Sequence, residues 1–138
     1  MSRIRGILFD KDGTLIDFNA TWAAVARKMA LRAAGGNAAR ADLLLAQSGF
    51  DAAAGRFRAD SVFAAGTNAD VVALWHPEVA QENLAQVVAE YDAITAEEGA
   101  ASAVALPGIH DAIARLHGSG YRLGMATNDS TLGAERTL

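Results

Sequence analysis

Apolar positions along the chain follow two different periods. Ile7-Leu8-Phe9 is a short unbroken apolar run that stops at Asp10 and leads to Gly13 and Thr14. That is the pattern of a buried strand entering a turn. From Thr21 the spacing becomes helical: Trp22, Val25, Met29 and Ala33 share one face, and Gly35-Gly36 supplies the stop. A second, shorter helix is predicted over 38–47, ending near Ser48-Gly49. Residues 50–66 mix Gly, Asp and Arg with Phe57 and Phe63 and are expected to be irregular. Thr67-Asn68-Ala69-Asp70 has the form of a capping box ahead of Val71, Val72, Leu74 and Trp75. Pro77 suits the first position of the next helix. Leu84, Val88, Tyr91 and Thr95 make one stripe at helical spacing, with Gly99 as its expected end. After Pro107-Gly108, the residues Ile109, Ile113 and Leu116 mark a short amphipathic helix stopped by Gly118 and Gly120. Tyr121 to Ala126 is a second strand, ending at Thr127-Asn128-Asp129.

The order of strand, long helical stretch, helix and strand predicts the α/β class, with the last helix and strand forming one arm of a parallel sheet. The stretch 18–105 is too long for an ordinary crossover. It is read as a helical domain inserted after the first strand, which leaves 1–17 and 106–138 as the α/β core. One of Asn128, Asp129 and Ser130 is expected to cap a last helix running toward Leu138.

Composition narrows the function classes. The chain has 138 residues, 51% hydrophobic and 20% charged, with a net charge of -4, a soluble globular balance of one domain or two small ones. Roughly a quarter of the residues are alanine, the best helix former. The acidic balance argues against a nucleic-acid partner, which calls for a basic face. The absence of cysteine excludes disulfides and thiolate metal sites. The apolar run near the N-terminus is too short for a signal peptide, and no stretch approaches the roughly 18 apolar residues of a membrane span. No membrane partner and a cytoplasmic location are expected.

Candidate chemistry sits at the end of the first strand. Asp10 and Asp12 lie two residues apart, so in an extended chain both side chains point the same way. The carboxyl ends of strands are where open α/β sheets bind ligands, and Gly13 allows close approach of the backbone to a ligand. Two carboxylates this close repel one another unless a proton or a divalent cation lies between them. Either state is useful, one for a nucleophile and the other for a general acid. The remaining polar residues have plainer readings. His76, His110 and His117 are scattered and are read as surface or helix-end residues. Trp22 and Trp75 lie on apolar helix faces and are read as core. Arg56 and Arg58 are read as solvated charges, with contact to a substrate anion as the alternative. Asp17 and Asn19 stand where the chain enters the helical stretch, within reach of a substrate. Thr127 reads either as a ligand of the site or as a simple strand-end residue.

The stretch Phe9-Asp10-Lys11-Asp12-Gly13-Thr14-Leu15 is similar to the first motif of the haloacid-dehalogenase-like superfamily of phosphatases. Met125-Ala126-Thr127-Asn128 resembles its second motif, a hydrophobic strand ending in Thr or Ser. The helical insert resembles the first cap type of that superfamily, and Pro107-Gly108 is similar to its phosphoglycolate-phosphatase-like branch. The resemblance implies a Rossmann-like core with an inserted α-helical cap. It implies Asp10 as the nucleophile that forms an aspartyl-phosphate, and Asp12 as the acid that protonates the leaving alcohol and then activates water. Thr127, Asn128 and the Gly13 amide would bind the phosphoryl group. Mg²⁺ would be held by the Asp10 carboxylate and the Asp12 backbone carbonyl. The implied substrate is a small phosphorylated metabolite, with phosphoglycolate suggested by the branch. An acid at Asp12 separates the chain from the dehalogenases, which lack one there. It also separates it from the ion-pumping ATPases, which share Lys11 but carry Thr at that place.

The superfamily pattern also needs a downstream Lys and further acidic residues, yet the only lysines are Lys11 and Lys28. The chain is therefore expected to be truncated, with an incomplete core of two strands. Two short parallel strands cannot bury both faces, so a homodimer or higher assembly with negligible phosphatase activity is expected of the 138-residue chain. The alternatives are a phosphomutase of the same superfamily and a non-catalytic helical interaction module.

Overall fold

In the computed structural model, which describes residues 4–137, the first apolar run forms β1 (Gly6–Asp10). A tight turn then leads to α1 (Phe18–Ala33), whose N-terminus is capped by the Asp17 side chain accepting from the Ala20 N–H. The helix begins before Thr21 because Asp17 satisfies an otherwise orphaned donor. α2 (Ala38–Gln47) follows, with Asn37 as its N-cap.

The stretch expected to be irregular is partly ordered. It holds an antiparallel hairpin of β2 (Phe50–Asp51) and β3 (Arg56–Phe57), then a single turn, α3 (Val62–Ala65). Asp51 closes the hairpin loop by accepting from the Ala53 and Ala54 amides, both at 3.0 Å. Phe57 anchors it, being 4% exposed and in aromatic contact with Phe18, Phe50 and Phe63.

α4 (Asn68–Trp75) opens with a complete capping box of Thr67 and Asp70, whose hydrogen bonds to the Thr67 backbone and hydroxyl hold the Asp70 carboxyl below its ordinary value. Pro77 does not begin a helix. It occupies a turn closed by the Val79 N–H donating to the His76 carbonyl at 3.1 Å, where a fixed φ is equally favourable. A short 3₁₀ turn (Gln81–Asn83) then leads into α5 (Leu84–Ser102). α5 runs through Gly99 rather than ending there. A Cβ at that position would lie 2.6 Å from Trp22 Cη2, so the glycine lets the two helices approach. α6 (Ile109–Gly118), β4 (Arg122–Ala126) and α7 (Thr131–Thr137) complete the chain. Ser130 caps α7 by accepting from the Gly133 N–H.

These elements make an α/β fold with a small parallel sheet. β1 pairs with β4 from Gly6↔Arg122 to Asp10↔Ala126, so the two strands end level with one another. The buried hydrophobic cluster lies elsewhere, between Trp22 and Tyr91, built by α1, α2, α4, α5 and the hairpin. Within it Trp75 donates to the Ser48 hydroxyl and the Leu44 carbonyl, and burial pushes the Tyr91 hydroxyl up to about 12. His76, the C-cap of α4, bonds that hydroxyl at 2.7 Å, while His110 and His117 are exposed. Leu8 on β1 is 69% exposed, and no further strand flanks the pair among the described residues. Two backbone links join the helical stretch to the strand ends: Asp17 N–H donates to Val104 and Leu106 N–H donates to Leu15. No described helix is long and apolar enough to cross a membrane.

Gly99→Ala sets two effects against one another. Helix propensity favours alanine by about 1 kcal/mol, whereas forcing a methyl group into a packed ring costs about 1–3 kcal/mol. The Trp22 ring is buried and hydrogen-bonded at its other end, so crowding prevails. A net loss of about 1 kcal/mol is expected in urea denaturation; a gain in stability would show that α1 and α5 are not in the contact described.

Candidate active site

The site begins where β1 stops. The Lys11 carbonyl accepts from the Leu15 and Ile16 amides at 2.9 and 3.1 Å, and the Gly13 N–H donates to the Ile16 carbonyl at 2.9 Å. This winds the chain into a tight loop that Gly13, at φ +83°, makes possible. Asp10 is left exposed at the strand end, and Asp12 is half-buried just beyond it.

Lys11 points the other way, into the protein. Its side chain is 1% exposed, and its Nζ lies 2.6 Å from Asp129 Oδ2 and 3.4 Å from Asp12 Oδ2. Asp129 follows β4, so this cation ties together the loops that leave the two strands. The other Asp129 oxygen accepts from the Ser130 N–H at 2.7 Å. Asp12 Oδ1 accepts from the indole N–H of Trp22 on α1, and the Lys11 ammonium stands 5.0 Å from the centre of that ring.

Two clefts open from this point. Asp10, Asp12, Thr127 and Asn128 line one of 480 Å³. Asp10 and Asp12 also line a cleft of 710 Å³ together with Asn19, Asp51, Arg56 and Arg58. The structure thus brings the two carboxylates, Thr127 and Asn128 to one place, and it adds the hairpin arginines on the side of the helical stretch. Gly13 shapes the turn and lines neither cleft. Thr127 Oγ1 accepts from the Asp129 N–H, and the Asn128 amide donates to the Ala65 carbonyl, holding the end of β4 against α3. Asp17 serves as a helix cap and does not line these clefts. Asn19 does, and its Oδ1 also accepts from the Phe57 N–H at 2.8 Å.

Lys11, Asp129 and Trp22 are the members that sequence reasoning missed. Trp22 is core, as its helix face predicts, at 7% exposed. The face pattern carried no sign of its second role as a donor. For Lys11 the available signal was a lysine flanked by acids within an otherwise apolar-to-turn transition.

The family model for haloacid dehalogenase-like hydrolases, described as a hydrolase, matches residues 4–138. No curated protein and no solved structure matches the chain.

Removing one partner of a buried ion pair leaves the other charge uncompensated, at a cost of about 3–5 kcal/mol. Lys11→Met is expected to fall at the lower end, because Asp12 keeps some contact with water. Adding Asp129→Asn removes the stranded charge and restores part of the loss. Chemical denaturation of the two single variants and the double variant measures the coupling, and strictly additive losses would contradict it.

Proposed function

As the chain belongs to the haloacid dehalogenase-like hydrolase family, we propose that it hydrolyses a small phosphate monoester through an aspartyl-phosphate on Asp10, with Mg²⁺ as cofactor. The observation that carries this reading is the shared cleft at the level ends of two parallel strands, lined by Asp10, Asp12, Thr127 and Asn128. Asp10 is the exposed carboxylate of the set, free to approach a phosphorus atom. Asp12, two residues on, exchanges a proton with the leaving oxygen and then with water. The Thr127 hydroxyl and the Asn128 side chain donate to phosphoryl oxygens. Such catalysis works by positioning and by stabilising charge. Residues 18–105 act as a cap over a core of 1–17 and 106–138, with Arg56 and Arg58 facing the substrate's anionic groups.

The residues present fit a magnesium ion. Mg²⁺ binds hard oxygens, uses only one or two carboxylates and keeps several waters. The Asp10 carboxylate is one such ligand. The Asp12 carbonyl is a second, since it accepts no backbone hydrogen bond among the described residues while the neighbouring Lys11 carbonyl is engaged by the turn. No group of three His, Asp or Glu that could hold a metal occurs among the described residues; the family pattern looks to further acidic residues for the rest of the set. When bound, the ion neutralises charge between the nucleophile and the phosphate.

In the protein that also carries the downstream Lys and acidic residues of the family pattern, Asp10→Asn keeps the shape of the side chain and removes the attacking oxygen, so phosphate release is expected to vanish with the fold intact. Turnover surviving in that variant, with deamidation excluded, would sink the aspartyl-phosphate. Asp12→Asn is expected to lose about 10²–10⁴-fold, the usual value of general acid–base help.

Metal dependence is tested separately, in that same protein. Chelator is expected to silence phosphate release and Mg²⁺ to restore it. Ca²⁺ is expected to support it poorly, because its looser coordination misplaces nucleophile and phosphate. Full activity in excess chelator would contradict the assignment.

A further inference from the structure

The two tryptophans of this chain satisfy their indole N–H groups in different ways. Trp75 donates within the helical core, to Ser48 and Leu44. Trp22 is also buried in the cluster, yet its N–H leaves the core and meets the Asp12 carboxylate. A buried indole needs an acceptor, but nothing in packing requires that acceptor to be the acid of the active site.

The geometry around the ring is constrained on several sides. Gly99 of α5 lies so close that a Cβ there would meet Trp22 Cη2 at 2.6 Å. The Lys11 ammonium stands 5.0 Å from the ring centre. The ring therefore has little freedom to tilt, and its N–H direction is set by α1, α5 and the Lys11 loop together. The two oxygens of Asp12 are held unequally. Oδ1 takes the indole hydrogen bond, while Oδ2 has only the Lys11 ammonium at 3.4 Å, and that ammonium is closer, at 2.6 Å, to Asp129.

We propose that Trp22 is a positioning residue for Asp12, anchoring Oδ1 so that Oδ2 is the oxygen that carries the proton. This rests on the phosphatase reading above. In the first half-reaction an Asp10 oxygen forms its bond to phosphorus as the ester P–O bond breaks. The departing electron pair remains on the ester oxygen, which takes the proton from Oδ2. In the second, Oδ2 receives a proton from the water whose oxygen bonds phosphorus, and the Asp10–phosphorus bond breaks. Both transfers, one off Oδ2 and one onto it, use the same oxygen in the same place, and a carboxylate free to rotate would present it only part of the time.

The test exploits leaving groups. An alkoxide needs the proton as it departs, whereas p-nitrophenolate leaves without one. Trp22→Phe deletes the N–H and keeps an aromatic ring over Gly99. Its kcat/KM, which reports the step up to phosphoryl transfer, is expected to fall by about 10-fold or more for ethyl phosphate, part of the full general-acid effect. For p-nitrophenyl phosphate it is expected to change by less than about threefold, since that ester makes no use of the acid. In an Asp12→Asn background the same substitution is expected to add no further discrimination. A merely structural tryptophan would lower both esters alike. Equal losses, or no loss, overturn the proposal while leaving the phosphatase reading intact. The measurements are made on the protein that also carries the downstream Lys and acidic residues of the family pattern; absence of phosphate release from either ester by that protein, unaltered at Trp22, overturns that reading, and this inference with it. Should Trp22→Phe not fold, Gly99→Ala supplies the second variant. Its added methyl group reaches Asp12 only through the ring and is expected to shift the ester preference in the same direction; an unchanged preference there counts against the proposal.

Discussion

An ammonium group removed from water is tolerated only where opposite charge surrounds it. In this protein that demand falls on Lys11, whose partners come from opposite ends of the chain. Asp12 is its neighbour in sequence, and Asp129 lies 118 residues away. To satisfy the cation, the loop after β1 must meet the loop after β4, and this is compatible with the strand register that ends Asp10 and Ala126 level. Asp10, Asp12, Thr127 and Asn128 share a cleft because those two loops are held together. Lys11 is thus engaged by carboxylates, and the cations that line the larger cleft are Arg56 and Arg58.

The cohesive part of the molecule is the helical stretch, and the strand ends are fastened to it at a few defined points. Backbone bonds at Asp17–Val104 and Leu15–Leu106 close the base of the stretch. Asn19 holds the hairpin to α1, and Asn128 holds the end of β4 to α3. The last two links join residues near the carboxylates to elements whose Phe57 and Phe63 pack in or against the apolar cluster. The position of the acidic pair relative to the arginines is consequently tied to the packing of Phe57 against Phe63 and of Phe63 against Trp75.

What the sequence made legible was local. The strand that stops at Asp10, the capping box at Thr67 and Asp70, the glycine stop after α1 and the pairing of Pro107 with Gly108 all act within a few residues. Each therefore leaves a readable pattern. The hairpin was illegible because strands of two residues have no period to detect; it exists through the burial of Phe57. Gly99 looks like a helix stop in sequence and is a helix interior in space, since a tryptophan from another helix needs its missing side chain. Pro77 satisfies a turn as readily as a helix start, and the local sequence does not distinguish them. For the site, the motif around Asp10 pointed to the carboxylates, but the contact of Lys11 with Asp129 is invisible to any window of ordinary length.

That distance along the chain also governs the order in which the molecule assembles. Contacts within the helical stretch reach as far as Trp22 with Gly99, whereas the pairing of β1 with β4 must close a loop of more than a hundred residues. Closure entropy grows slowly with length, but it is met before any long-range contact rewards it. The helices between the strands shorten that path, and the Asp17–Val104 bond holds its two ends together, so strand pairing and the burial of Lys11 are expected to form after the helical stretch. The loops after β1 and β4 are accordingly expected to exchange their amide hydrogens ahead of the helical core.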